Sequence, residues 1–212
     1  METAKFSKKE AISFGWAKMK ENFWFFFLLI LIMWFFQFAP EITDRYFKEN
    51  YPILAVIFKI IFSVISVIIS IGFLKIVLEI HDNKQPRVSD LFSSYKLFFR
   101  YYFASMLYAL AVFGGLLLLI VPGIILAIRC QFYGYLIVER KAGIISSLNK
   151  SFSMTKGNGM NLFLFMLLSM GIMLLGILAL VVGIFAAFPT VFMATTFIYR
   201  FLSREAADIK TA

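Results

Sequence analysis

The sequence predicts an all-α protein, a polytopic transmembrane helical bundle of six spans with amphipathic interfacial helices on its cytoplasmic side. Three observations carry that prediction. The chain is 61% hydrophobic and only 16% charged, whereas soluble domains sit near ~45–50% apolar and ~25% charged. Its apolar residues gather into runs as long as the ~17–25 residues a bilayer core requires. Its Lys and Arg residues fall into alternate connections, as they do when basic residues are retained in the cytoplasm. With 212 residues and no linker-like stretch, the whole of 1–212 reads as one integral membrane domain.

The spans follow in order. The first run, 23–39, is closed by Pro40 and a polar loop holding Glu41, Asp44, Arg45, Lys48 and Glu49. The basic segment before it is long and no small-x-small site follows, so an uncleaved first helix is expected and not a signal peptide. The second run, 51–80, is long enough to tilt. The third, 101–120, ends at Val121-Pro122-Gly123, because proline and glycine interrupt helices. A fourth run covers 124–138 and a fifth 161–187. Pro189 separates the fifth from a sixth at 189–202. The fourth and sixth are short, so a re-entrant hairpin is the alternative to a full crossing at either place.

Charge fixes the expected orientation. Lys5, Lys8, Lys9, Lys18 and Lys20 precede the first span. Lys84, Arg87, Lys96 and Arg100 lie between the second and third, and Arg140, Lys141, Lys150 and Lys156 between the fourth and fifth. Arg204 and Lys210 follow the sixth. Six crossings put all four segments on one side and leave Arg45 and Lys48 on the other, with both termini cytoplasmic. The net charge of +9 then speaks for anionic phospholipid headgroups and not for nucleic acid.

Three basic segments read as interfacial helices, at 8–22, 89–99 and 143–155. Ser7 and Glu10 fit a capping box. Ile12, Trp16, Met19 and Phe23 share one helical face, as do Val88, Leu91, Phe92 and Tyr95, and again Ile145, Leu148 and Phe152. Such helices either lie in the headgroup plane or cap the bundle. Trp24, Trp34, Phe35 and Phe36 resemble interfacial aromatic anchors.

Polar residues inside apolar runs are the candidate sites, because hydrocarbon penalises them. Arg129 follows the Pro-Gly turn by seven residues, roughly 10 Å of helix, with no carboxylate in any central span. Gln131, Tyr133 and backbone carbonyls are its expected neighbours, and Gly114-Gly115 would leave room opposite. It carries either an anion or lipid-headgroup site or a structural tie between helices. Lys59, Ser63, Ser66 and Ser70 fall on one face of the second helix and read as a polar path or as close-packing hydroxyls. Ala179, Gly183 and Ala187 form a small-xxx-small stripe on the fifth helix. Met166, Met170 and Met173 read as gap fillers rather than metal ligands.

Other chemistries lack their residues. Cys130 is the only cysteine, which excludes an intramolecular disulfide. His81 is the only histidine, too few for a usual zinc site. There is no HExxH, P-loop or GxSxG motif, and Glu79, near the inner edge beside Lys75, is the only candidate for a proton-carrying carboxylate in the membrane core. No catalytic residue, cofactor or metal is expected. The expected partners are the lipid bilayer with its anionic phospholipids and a possible partner membrane protein. A small-molecule transporter or substrate-binding membrane subunit, and a membrane accessory of a lipid-modifying enzyme, are the alternatives.

Three blocks carry a family resemblance. They are Val121-Pro-Gly-Ile-Ile-Leu-Ala-Ile-Arg129, Leu136-Ile-Val-Glu-Arg140 and Ser147-Leu-Asn-Lys-Ser-Phe-Ser-Met-Thr-Lys-Gly157. Together they resemble YciC-like inner-membrane proteins and the membrane domain attached to some glycerophosphoryl diester phosphodiesterases. Ala11-Ile-Ser-Phe-Gly-Trp16 with Asn22-Phe-Trp-Phe25 is similar to their entry segment. The resemblance implies about six spans in a bacterial cytoplasmic (inner) membrane, with Arg129 and 147–157 as shared features. It implies no activity, since the phosphodiesterase chemistry belongs to a soluble domain absent from this sequence.

Overall fold

The computed structural model of the protein describes residues 5–47, 49, 51–179 and 182–211, with side chains as far as residue 207. Lys48 and the side chain of Lys210 lie outside that description. Among the described residues all regular structure is helical. The helices are α1 (Lys8–Glu21), α2 (Phe23–Phe47), α3 (Pro52–His81), α4 (Asp90–Ser93), α5 (Phe98–Leu118), α6 (Ile120–Cys130), α7 (Tyr133–Arg140), α8 (Ile144–Met154), α9 (Gly159–Leu178) and α10 (Ile184–Thr211). A 3-10 turn, Tyr95–Leu97, joins α4 to α5. Six stretches are long and apolar enough to cross a membrane: Phe23–Phe47, Pro52–His81, Asp90–Leu118, Ile120–Arg140, Gly159–Leu178 and Ile184–Ala207.

The prolines do not end helices where the sequence suggests. Pro40 lies within α2 and Pro189 within α10. Each removes one N–H, and nearby threonines engage adjoining carbonyls. Thr43 donates to the Ala39 carbonyl at 2.6 Å, and Thr190 to that of Ala186 at 2.7 Å. These are not the carbonyls that the prolines free, and the helices continue because lipid penalises every alternative to helix. Pro122 sits in the first turn of α6, where its missing N–H would have had no helical partner. The chain turns instead at Leu119, in an extended conformation (φ −159°, ψ 138°). The fifth span accordingly stops at Leu178 and the sixth starts at Ile184, in place of the expected 161–187 and 189–202.

The core gathers where α2, α3, α7, α9 and α10 meet. Phe26, Ile69, Phe73, Phe132, Leu162 and Tyr199 are among its buried side chains. The outer halves of α2 and α3 remain apolar and exposed, as surfaces facing lipid are. Two helix approaches depend on glycine. A Cβ on Gly15 would lie 2.2 Å from the Thr190 carbonyl oxygen, and one on Gly72 would lie 2.0 Å from that of Leu91.

These approaches revise the amphipathic segments. α1 buries Ala11, Gly15 and Met19 and packs along α10, while Trp16 of the expected face is exposed. The 89–99 segment is the short α4 and the 3-10 turn before α5. Leu91 docks on α3, and Phe92 and Tyr95 point outward. α8 buries Ser147, Leu148, Ser151 and Met154, and leaves Ile145 exposed. In both α1 and α8 the tightest packing uses small or hydroxylated residues that hydrophobic periodicity passes over.

The basic segments converge at one end of the molecule. Lys18 donates to Asn83 (3.0 Å), Lys8 to Asn161 (3.2 Å) and Arg100 to the Lys141 carbonyl (2.9 Å). Phe6 meets Phe201 edge-on, with ring centroids 6.4 Å apart. An even number of crossings between α2 and α10 places these segments together.

A candidate lipid site at a broken membrane helix

The apolar stretch Ile120–Arg140 is two helices, α6 and α7, interrupted at Gln131 and Phe132. An unsatisfied backbone group in hydrocarbon costs several kcal/mol, so the break needs partners. Side chains supply them. Tyr108 donates to the Ala127 carbonyl (3.0 Å), and Gln131 Nε2 to that of Ile128 (2.9 Å). Ser151 Oγ donates to the Arg129 carbonyl (2.8 Å) and accepts from Phe132 N–H (3.1 Å). Thr155 also reaches the Arg129 carbonyl, at 3.3 Å. The buried hydroxyl face of α8 therefore replaces the hydrogen bonds of an unbroken helix.

The break aims Arg129 at the junction of α8 and α9. Its Nη2 donates to the Phe152 carbonyl at 2.8 Å. Its Cζ stands 3.5 Å from the centroid of the Phe152 ring, a cation–π stack. A guanidinium has five N–H donors, and this one spends a single donor on the protein. The ion pairs among the described residues use other cations: Lys18, Lys59, Lys75 and Arg200. Beside Arg129 an apolar groove of about 460 Å³ runs between α6 and α9, lined by Val121, Ile124, Ile125, Ile128, Met160 and Phe163.

Of the neighbours expected of Arg129 a backbone carbonyl, that of Phe152, is in place, but Gln131 and Tyr133 lie elsewhere, because the break sends successive side chains in different directions. Gln131 caps the end of α6. Tyr133 packs between Tyr101 and Tyr108, at 5.8 and 5.1 Å between ring centroids. Gln131 and Tyr133 line a separate cavity of about 300 Å³ with Tyr101 and Thr195. Gly115 does not face the guanidinium either; a Cβ there would lie 2.9 Å from Gly123 Cα, and Gly114 has open space.

The stripe on α3 does not form one path. Lys59 pairs with Asp44 at 3.9 Å, and Ser63 is exposed. Only Ser66 and Ser70, with Gln37, line a cavity, of about 130 Å³. Ser70 donates to the Ser66 carbonyl of its own helix at 2.9 Å. The outer half of α3 rises away from the bundle and takes Lys59 and Ser63 with it. Ala179, Gly183 and Ala187 are a packing set, but across a hairpin and not along one helix. A Cβ on Gly176 would lie 2.8 Å from Ala187 Cβ, and one on Gly183 would lie 2.9 Å from Ala179 Cβ.

Sequence reasoning missed one cluster. Arg200 of α10 bridges Asp82 (2.5 Å) and Glu139, and Tyr199 also donates to Glu139. Arg140 donates to Ser203. The signal was available: Glu139 closes one apolar run, and Arg200 interrupts another. Among the described residues no three His, Cys, Asp or Glu side chains gather in a way that could hold a metal ion.

A bundle of six membrane-length helices with a stitched break in the fourth defines a polytopic helical membrane protein. Within that class the chain belongs to the DUF7847 family, a domain of unknown function, whose model matches residues 37–205. The match takes in the break, Arg129, the hydroxyl face of α8 and both walls of the groove. No curated protein and no solved structure matches the chain.

Proposed function

We propose that the protein is a non-enzymatic membrane factor that engages anionic lipid, with Arg129 as the headgroup contact. One observation carries this reading. Arg129 is held on Phe152 with one donor engaged and no carboxylate partner among the described residues, at the mouth of an apolar groove. Guanidinium edges recognise phosphate with paired, charge-assisted hydrogen bonds. A purely structural arginine would be expected to spend more of its donors on carbonyls.

The proposed setting is a bacterial cytoplasmic membrane with both termini in the cytoplasm, so that the basic end faces anionic headgroups. Kinship with the YciC-like and phosphodiesterase-linked membrane domains is part of the same proposal, as is a partner membrane protein acting through the basic end. Native mass spectrometry of the protein released from native-membrane nanodiscs tests the central reading. Wild type should retain an anionic phospholipid that Arg129→Gln loses. Equal retention in both would leave Arg129 as a tie between α6 and α8.

A second reading, a small-molecule-binding membrane subunit, draws on the cavity at the break, where Tyr101, Gln131, Tyr133 and Thr195 present polar groups. Thermal stabilisation by an added metabolite, abolished by Tyr133→Phe or Gln131→Leu, would favour it.

A further inference from the structure

The groove is not an ordinary lipid-facing surface. Val121, Ile124, Ile125 and Ile128 repeat at the spacing that places residues on one helical face. Met160 and Phe163 stand one turn apart on the opposing wall. The concavity follows α6 from Val121 to Arg129, roughly 12 Å at the helical rise. Val121 (66%), Ile125 and Met160 (72%) are exposed on its rim while Ile128 is buried at its floor, so the groove is open on the side facing the bilayer. At one end only, a guanidinium with unspent donors closes it.

From this we infer that the groove between α6 and α9 seats one acyl chain of a phospholipid whose phosphate meets Arg129, and that the lipid enters sideways from the leaflet. The inference rests on the headgroup reading above and adds the occupant of the groove. Charge complementarity selects that occupant: a free acyl chain would leave the guanidinium unmatched, and a free phosphate would leave the groove to bulk lipid. A chain in the groove exchanges hydrocarbon neighbours for protein ones, so little hydrophobic gain separates the two states. The groove contributes shape and the phosphate contributes affinity. Ser151 and Thr155 are positioning residues here, since they hold the Arg129 carbonyl and thereby the direction of its side chain.

The test uses the full-length protein in detergent with dioleoyl phosphatidic acid, dioleoyl phosphatidylcholine or glycerol 1-phosphate, read by native mass spectrometry. Ile125→Trp and Met160→Trp each fill the groove from one wall. Both positions are exposed, and two variants guard against one failing to fold. Leu174→Trp, at an exposed position of α9 outside the groove, is the control. Wild type should retain phosphatidic acid over phosphatidylcholine. Both groove variants and Arg129→Gln should lower retention roughly tenfold or more, the scale of one charge-assisted hydrogen bond, and Leu174→Trp should not. If Arg129→Gln loses the lipid while both groove variants keep it, the acyl-chain inference is overturned and the headgroup reading stands. If glycerol 1-phosphate displaces the lipid at equal concentration, the site is a phosphate site and the inference again fails. If wild type holds both lipids alike, or Arg129→Gln still prefers phosphatidic acid, both readings fall together.

Discussion

Ser151 does the work of two backbone groups. Its hydroxyl donates to the carbonyl on one side of the α6–α7 break and accepts from the N–H on the other, while fully buried. Ser151→Ala removes both bonds and leaves Phe132 N–H unmatched; Thr155 still reaches the Arg129 carbonyl. A buried group left unsatisfied costs about 1–3 kcal/mol. Unfolding in detergent, followed by temperature or denaturant, should therefore show Ser151→Ala less stable by about that amount. Ser146→Ala, at an exposed position of the same helix, should be neutral; equal behaviour of the two variants would dismiss the stitch. Arg129 itself could be read from the sequence, as an isolated cation in an apolar run. Its contacts could not. Periodicity in 143–155 marks Ile145, Leu148 and Phe152, of which only Leu148 is buried, whereas Ser147, Ser151 and Thr155 are buried completely. Those hydroxyls are buried because another helix needs hydrogen bonds, and spacing within one segment cannot reveal that.

At the scale of helices, contact distances separate glycines that hold elements together from those that do not. Gly72 lets the backbone of Leu91 rest directly on α3. A methyl group there would meet main-chain atoms, which cannot rotate away, so α4 must lift. Overpacking of this kind costs about 1–3 kcal/mol. Gly72→Ala should expose 82–97, seen as faster proteolysis of that connection in opened membranes. Gly114→Ala meets open space and should be silent or slightly stabilising, because alanine favours helix over glycine by about 1 kcal/mol. If both substitutions gave the same cleavage rate, the docking of α4 would not depend on Gly72. Several helix ends depart from the sequence expectation at proline. Pro40, Pro122 and Pro189 each looked like a stop. A proline in a first turn lacks nothing, and one deeper in a membrane helix loses a single bond while the bilayer penalises every alternative to helix. The same penalty is why the six apolar stretches themselves were plain.

The whole molecule is organised by charge. The basic segments share one end through contacts spanning the chain: Lys8 with Asn161, Lys18 with Asn83, and Arg200 with Asp82 and Glu139. The last cluster joins the ends of α3 and α7 to α10, so Arg200 ties three spans through one side chain. Glu41, Asp44 and Arg45 stand at the far end, with the turn at Leu119. If the basic end is cytoplasmic, a reagent that cannot cross the membrane must reach only the far end in intact cells. The chain suits this experiment because Cys130 is its only cysteine and is buried. In a Cys130→Ala background, single substitutions Lys9→Cys, Lys141→Cys and Glu41→Cys all fall at exposed positions. An impermeant maleimide should label Glu41→Cys in intact cells, and should label the other two only after the membrane is opened. The reverse pattern would keep the six spans and invert the orientation. Labelling of Lys9→Cys and Lys141→Cys on opposite faces would require an odd number of crossings between α1 and the end of α7. A single span among α2, α3, α5 and α6–α7 would then not cross, and if that span were α6–α7 the groove along α6 would lose the hydrocarbon setting that a seated acyl chain requires.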